Sequence, residues 1–242
     1  MAGRDQVVGR EDGMSAALKS RLKSGASVAV CNTDFPTPHL IEFVAGVGFD
    51  AVFIDCEHSC TDFALVDELA RAARGAGIGS IVRPWSNEPG LINRYLSCGA
   101  SGMQLPHVHD VAAAQSIIDG ISAWDGDVES KVIVAMIESA EALHNLPALL
   151  RLPQIDVFYI GAVDLAQSMG HRGGRKHPAV QAAVEDAISR IADAGKAAGM
   201  NVQDDLEATQ RYRQLGLRWV NVHLKVFLER SMTAFVQGVR AA

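Results

Sequence analysis

Eight short, β-prone apolar runs alternate along the chain with segments of helical period, and a glycine closes the helix ahead of several of them; together these features predict a single (β/α)8 barrel of the TIM type. Most of the runs are continuously apolar rather than alternating, as expected for parallel strands covered by helices. With 242 residues, 48% of them hydrophobic, the chain can fill one sizeable core and is close to the usual barrel length. A doubly wound open sheet is the competing arrangement. The Gly-x-Gly-x-x-Gly turn of a dinucleotide fold is missing, however, after the first strand, which runs into Asn32-Thr-Asp-Phe-Pro-Thr-Pro.

In chain order, residues 1–13 are expected to form a flexible N-terminal tail and residues 14–242 the single barrel domain. Strands are expected at Ser27–Cys31, Ala51–Asp55, Ser80–Arg83, Gly102–Leu105, Lys131–Ile137, Asp156–Ile160, Met200–Val202 and Arg218–Val222. Between them, Phe63, Leu65, Val66, Leu69 and Ala70 give Asp62–Ala76 a helical apolar face, and Val184, Ala187, Ile188 and Ile191 do the same for Val180–Ala198. Gly48, Gly77, Gly99 and Gly216 stand where helices must end before the next strand.

Composition narrows the function. A formal charge of -6, with 22 Lys plus Arg spread along the chain, provides no basic surface for a phosphate backbone, so nucleic acid is not an expected partner. No apolar run approaches the roughly 18 to 20 residues of a membrane span, and MAGRDQVVGREDGMS lacks the apolar stretch of a signal peptide. Cys31, Cys56, Cys60 and Cys98 form no CxxC pair; Cys56-Glu-His-Ser-Cys60 lacks the spacing of a thiolate zinc site, and the thiols read as packing residues in a reducing compartment. The expected location is the cytoplasm.

Catalytic side chains of such barrels lie just past the C-terminal strand ends, where the βα loops share one mouth. Five successive runs end there in charged or imidazole groups: Asp55-Cys56-Glu57-His58, Arg83, His107, Glu138 and Asp164. Taken singly, Glu138 and Asp164 are consistent with helix-start charges, His58 with a capping histidine, and Arg83 with an ion pair to Asp55 or Glu57. Convergence favours chemistry. Two carboxylates from adjacent strands, with open positions left over, suit a hard divalent cation such as Mg2+ or Mn2+. Such a cation binds a 2-oxo acid and stabilises its enolate. Arg83 would add fixed positive charge, and His58 is the candidate base, with His107 second. Strands seven and eight end in Asn201-Val-Gln and Asn221-Val-His-Leu, without a glycine-rich phosphate cradle, which disfavours a phosphosugar. No lysine ends a central strand, which disfavours a Schiff base.

From about Ser27 to Phe227 the chain resembles the class II pyruvate aldolases of the HpcH/HpaI family. The resemblance rests on five motifs in order: GVGFDAVFIDCEHS; IVRP followed by Asn87; GASGMQLPHV; MIES followed by EALHNLPALL; and IDVFYIGAVDLAQSMG followed by HP. It implies a (β/α)8 barrel of the phosphoenolpyruvate/pyruvate-domain type that breaks and forms C–C bonds through a pyruvate enolate, with Mg2+, Mn2+ or Co2+ as cofactor. It implies His58 as the catalytic histidine, Arg83 as the enolate-stabilising arginine, Glu138 and Asp164 as metal ligands, and Gly161, Val163 and Asp164 as substrate-carboxylate contacts. A homo-oligomer, hexamer or trimer, with an exchanged C-terminal helix is implied too. The chain departs from the pattern at Ser97, where relatives place an Asp that orients the histidine, and at Met136, where close relatives carry Gln. The loop Gly120–Ser130 is short, and Val222-His-Leu-Lys replaces a glycine-containing turn. A decarboxylase of oxaloacetate-like acids on the same site, and a non-catalytic barrel that binds a small acid, remain as alternatives.

Overall fold

Polar residues placed after the apolar runs start the helices. Thr37, Asp62, Asp110, Ser139 and Asp205 each accept the backbone N–H three residues on, at 2.7–3.2 Å, so most βα loops finish on a side chain that caps the helix they lead into. At the other ends, Gly48, Gly77 and Gly216 adopt the left-handed conformation that turns the chain back toward the sheet, as expected.

The computed structural model describes residues 4–123, 128–171 and 174–241. Its strands are β1 (Val28–Asn32), β2 (Ala51–Asp55), β3 (Gly79–Arg83), β4 (Gly102–Leu105), β5 (Val132–Ile137), β6 (Val157–Ile160), β7 (Ala197–Asn201) and β8 (Leu217–His223). All pair in parallel, in sequence order, and β8 closes on β1. The helices are α1 (Arg4–Lys23), α2 (Pro38–Val47), α3 (Phe63–Ala76), α4 (Pro89–Ser97), α5 (Val111–Ser122), α6 (Ala140–Leu149), α7 (Ala162–Ser168), α8 (Pro178–Asp193), α9 (Leu206–Leu215) and α10 (Leu224–Arg240). The predicted barrel is therefore the fold.

Apolar side chains form two layers. One lies between sheet and helices, with Ile54, Leu69, Ile92 and Phe158 fully buried. The other fills the barrel: Val28, Val30, Phe53, Ile81, Val134, Met136, Tyr159 and Trp219. Strand periodicity of two makes the next inward positions Asn32, Asp55, Arg83, Glu138, Asn201 and Asn221, with His223 one step beyond Asn221, so the polar mouth sits directly on the apolar plug. The opposite end is closed by α1, whose Leu18 joins the inner layer while Ser15 Oγ donates to the Ser101 carbonyl at 2.7 Å.

Helix α1 starts at Arg4, within the segment expected as a tail, and residues 1–3 lie outside the described residues. Two expectations are corrected. Helix α8 ends at Asp193 and not at Ala198, because Gly195 takes a φ of +72° and breaks it. The strand it hid is β7, which starts at Ala197 rather than Met200; its alanines and glycine carry little β propensity, and the sheet recruits them through pairing with β6. Within the short loop after α5, Trp124 to Asp127 lie outside the described residues, and a 3-10 turn at Val128–Ser130 leads to β5.

Close packing inside the barrel depends on small residues. A Cβ on Gly102 would collide with the Val132 carbonyl and lie 2.8 Å from Val132 Cβ. Gly102→Ala is expected to cost roughly 2–3 kcal/mol in urea unfolding, whereas Gly46→Ala, in α2 with nothing within 4 Å, should be neutral or slightly stabilising. Equal midpoints for the two variants would contradict this packing.

Candidate active site

The register of β2 and β3 sets Asp55 beside Arg83 at the mouth. Arg83 Nε and Nη2 donate to the two Asp55 oxygens at 3.0 and 2.7 Å, and Nη1 lies 3.0 Å from Glu57 Oε2. The guanidinium also stands over the Phe53 ring, 5.5 Å from its centre. Burial works against the charge on Arg83, but the two carboxylates outweigh it and hold the group protonated. Burial likewise pushes the Asp55 carboxyl up, yet Arg83 and the backbone N–H groups of His58 and Glu57 hold it below its ordinary value. The ion pair entertained for Arg83 is thus present. It fixes the guanidinium flat and points the rest of it into the mouth.

Glu138 is the first residue after β5 and is 7% exposed. It does not cap α6; Ser139 does that. Its Oε1 accepts the His107 backbone N–H at 2.7 Å and lies 3.1 Å from His107 Nδ1. His107 Nε2 stands 3.2 Å from Glu57 Oε1, so one imidazole bridges two carboxylates, on a backbone with φ of +56°. Burial raises the Glu138 pKa; His107 opposes that, and the charges of Asp164 and Glu57 add to it. Asp164 sits in the first turn of α7, whose N-cap, Gly161, offers no side-chain cap. Gly161 packs so closely on Glu138 that an added Cβ would lie 2.9 Å from its Cβ and 3.2 Å from Oε2.

A cavity of about 260 Å³ gathers His58, Arg83, Gly161, Val163 and Asp164 on its walls, with Gln104 and Tyr159 beneath. Of the expected site residues, Arg83, Gly161, Val163 and Asp164 share this cavity, while Glu138 is not on its walls and packs against Gly161. His58 stands apart at the rim: its side chain is 69% exposed and its nearest carboxylate contact is Glu57 Oε2, at 3.8 Å. Ser97 Oγ donates to the Asn93 carbonyl of its own helix at 2.8 Å. Among the described residues, no group of three or more His, Cys, Asp or Glu side chains converges as a metal cluster.

Sequence reasoning missed the connecting roles of Glu57 and His107. It also missed Gln104, which is 1% exposed with its Oε1 unpartnered, and the pair Asp34 and His223, 2.7 Å apart at the junction of β1 and β8. The available signals were the single charged residue in Asn32-Thr-Asp34 and a histidine ending the last strand.

The match to known proteins follows the same region. Residues 33–228 fit the family model for HpcH/HpaI aldolase/citrate lyase. The chain belongs to this family. Over 230 residues it is 33% identical to a hydroxypyruvate/pyruvate aldolase of Pseudomonas aeruginosa, covering 85% of each chain. A 4-hydroxy-2-oxo-heptane-1,7-dioate aldolase of Klebsiella pneumoniae subsp. pneumoniae is 31% identical, over 86% of this chain and 88% of the relative. Among solved structures, an HpcH/HpaI aldolase/citrate lyase family protein from Burkholderia cenocepacia superposes with a TM-score of 0.84, over 93% of this chain and 99% of that one. At 24% identity, that likeness speaks for the fold.

The Asp55–Arg83 pair has a signed pH consequence. A carboxyl held below its ordinary pKa stabilises the fold above that ordinary range and loses the contribution as pH falls through the lowered value. Asp55→Asn is expected to lower unfolding stability by about 2 kcal/mol at pH 7, with the gap to wild type closing in acid. A gap that stays constant down to pH 2, or none at pH 7, would contradict the pairing.

Proposed function

We propose that this family member is a metal-dependent carbon–carbon lyase that cleaves 4-hydroxy-2-oxo acids to pyruvate and an aldehyde, and runs the reverse addition. The observation that carries the reading is the buried Glu138 carboxylate, packed against Gly161 and repelled by the charge of Asp164, next to a cavity whose walls hold Asp164 and a guanidinium locked by Asp55 and Glu57. Relatives named as aldolases of pyruvate and of 4-hydroxy-2-oxo-heptane-1,7-dioate, at 31–33% identity, support it.

The donor set fits a hard divalent cation. Glu138 is desolvated and repelled by two other carboxylates, a position that a bound cation relieves. Gly161 leaves the space beside Glu138 Oε2 free of side chain. Glu138 and Asp164 would hold Mg2+, Mn2+ or Co2+; when bound, the ion supplies Lewis-acid stabilisation of the enolate. Backbone N–H groups at the start of α7, from Gly161 through Val163 to Asp164, would hold the substrate carboxylate. Arg83 places fixed positive charge where the enolate oxygen develops. His58, at the rim, can exchange protons with water there.

The second reading, decarboxylation of oxaloacetate-like acids, draws on one observation. Ser97 binds its own helix and offers no carboxylate to His58, and decarboxylation requires no base to remove a hydroxyl proton. Assembly belongs to the same proposal. Helix α10 has no buried residue and exposes Met232, Phe235 and Val239, an apolar face that a second copy would cover in a homo-oligomer. Among the described residues, no helix is long and apolar enough to cross a membrane. A cytoplasmic small-molecule enzyme is the setting we infer.

Pyruvate release from a panel of 4-hydroxy-2-oxo acids and from oxaloacetate tests the reading, with light scattering on the same sample for assembly. EDTA should abolish turnover and Mg2+ or Mn2+ restore it. Glu138→Ala should lose nearly all of it, and Arg83→Lys about 100-fold in kcat. Turnover indifferent to EDTA and to Glu138 would overturn the mechanism, and a single-chain mass would overturn the assembly.

A further inference from the structure

Besides His58 and His107, the mouth holds a further imidazole, His223, tied to a carboxylate. His223 ends β8 opposite Asn32 of β1. It occupies the N-cap position of α10 but makes no side-chain cap bond. Its Nδ1 meets Asp34 Oδ1 at 2.7 Å, and Asp34 Oδ2 accepts the Lys225 backbone N–H at 3.0 Å. The Asp34 side chain is 10% exposed and stands on a left-handed backbone, φ +43°, which a non-glycine residue rarely adopts. On the other face, Asn221 Nδ2 donates to Asn32 Oδ1 at 3.0 Å, which leaves the Asn32 amide N–H₂ toward His223 Nε2, 3.4 Å away.

This arrangement specifies a tautomer. With Asp34 accepting from Nδ1–H, the lone pair lies on Nε2, where the Asn32 amide donates to it at a long 3.4 Å; a substrate hydroxyl that takes the place of Asn32 meets a general base. His223 lines the same cavity as Arg83 and Asp164. It also lines the adjoining space of about 390 Å³ shared with His58. Helix capping would be the ordinary use of a histidine at this position, and the missing cap bond removes that explanation.

We propose that His223, positioned by Asp34, is a catalytic proton carrier of this site. This rests on the aldolase reading. Nε2 takes the proton of the substrate's C4 hydroxyl. The C3–C4 bond breaks, the C4–O bond becomes the aldehyde carbonyl, and the electron pair stays on C3 as the pyruvate enolate. The imidazolium then returns the same proton to C3, giving pyruvate with no other reactant consumed. His58 is left with exchange at the rim.

The test compares His223→Ala, His223→Gln, Asp34→Asn and His58→Ala in retro-aldol cleavage and in oxaloacetate decarboxylation. Both His223 variants should lose about 100-fold or more in aldol kcat, with added imidazole rescuing His223→Ala. Their decarboxylation should stay within about threefold of wild type, which also shows that they fold. Asp34→Asn should lower aldol kcat by at least roughly tenfold at unchanged KM, while His58→Ala falls less than His223→Ala. Aldol turnover kept in both His223 variants but lost in Glu138→Ala would overturn this inference alone. Equal loss of both reactions on replacing His223 would overturn it too, as would a larger loss at His58. A wild type without any aldol turnover would overturn the aldolase reading together with it.

Discussion

Four carboxylates, Asp55, Glu57, Glu138 and Asp164, crowd the mouth of this barrel, and the only guanidinium tied to any of them by a described ion pair is Arg83. In a partly desolvated site, like charges at this density are costly unless a cation compensates them. Arg83 and the His107 imidazole answer part of the problem by linking Asp55, Glu57 and Glu138 into one chain. What remains, on the side of Glu138 that faces Gly161, is an acidic position, which the proposed function assigns to a divalent ion. The proposed chemistry depends on that imbalance, because the charge which attracts the ion also fixes where a 2-oxo acid can bind.

The barrel supplies the imbalance through simple geometry. Parallel strands with a period of two send every second side chain inward, and the inner layer changes from Phe53, Ile81, Met136 and Tyr159 to Asp55, Arg83, Glu138 and Gly161 within a single step along each strand. An apolar plug below keeps water from reaching the site from the other end. Polar caps such as Asp62 and Ser139 start the helices immediately afterwards, so the candidate site residues sit on short, well-tied connections. Precision of placement comes from the scaffold, and reactivity from the loops' excess charge.

Much of this was legible in the sequence. The apolar run Ala51–Asp55, with Val52, Phe53 and Ile54, is a strand at the expected bounds, because β-branched and bulky residues leave little choice. Ala197–Asn201 was misplaced, since alanine and glycine carry no strand signal and only pairing makes them one. Asp55, Arg83, Glu138 and Asp164 could be found because each follows a recognisable strand end. Asp34 and His223 could not, since they meet across the closure of the barrel, 189 residues apart, and only the β1–β8 register brings them together. The rim position of His58 was equally hidden, because exposure of a loop side chain is decided by neighbours and not by its spacing from a strand.

The central claim is that Glu138 and Asp164 form a divalent-cation site, and binding of Mn2+ measured directly by electron paramagnetic resonance tests it without reference to any substrate. The account predicts one site per chain in the wild type, with affinity lowered by roughly 100-fold or more in Glu138→Gln and in Asp164→Asn. Mn2+ binding of equal strength in wild type and both variants, or none in the wild type, would contradict it.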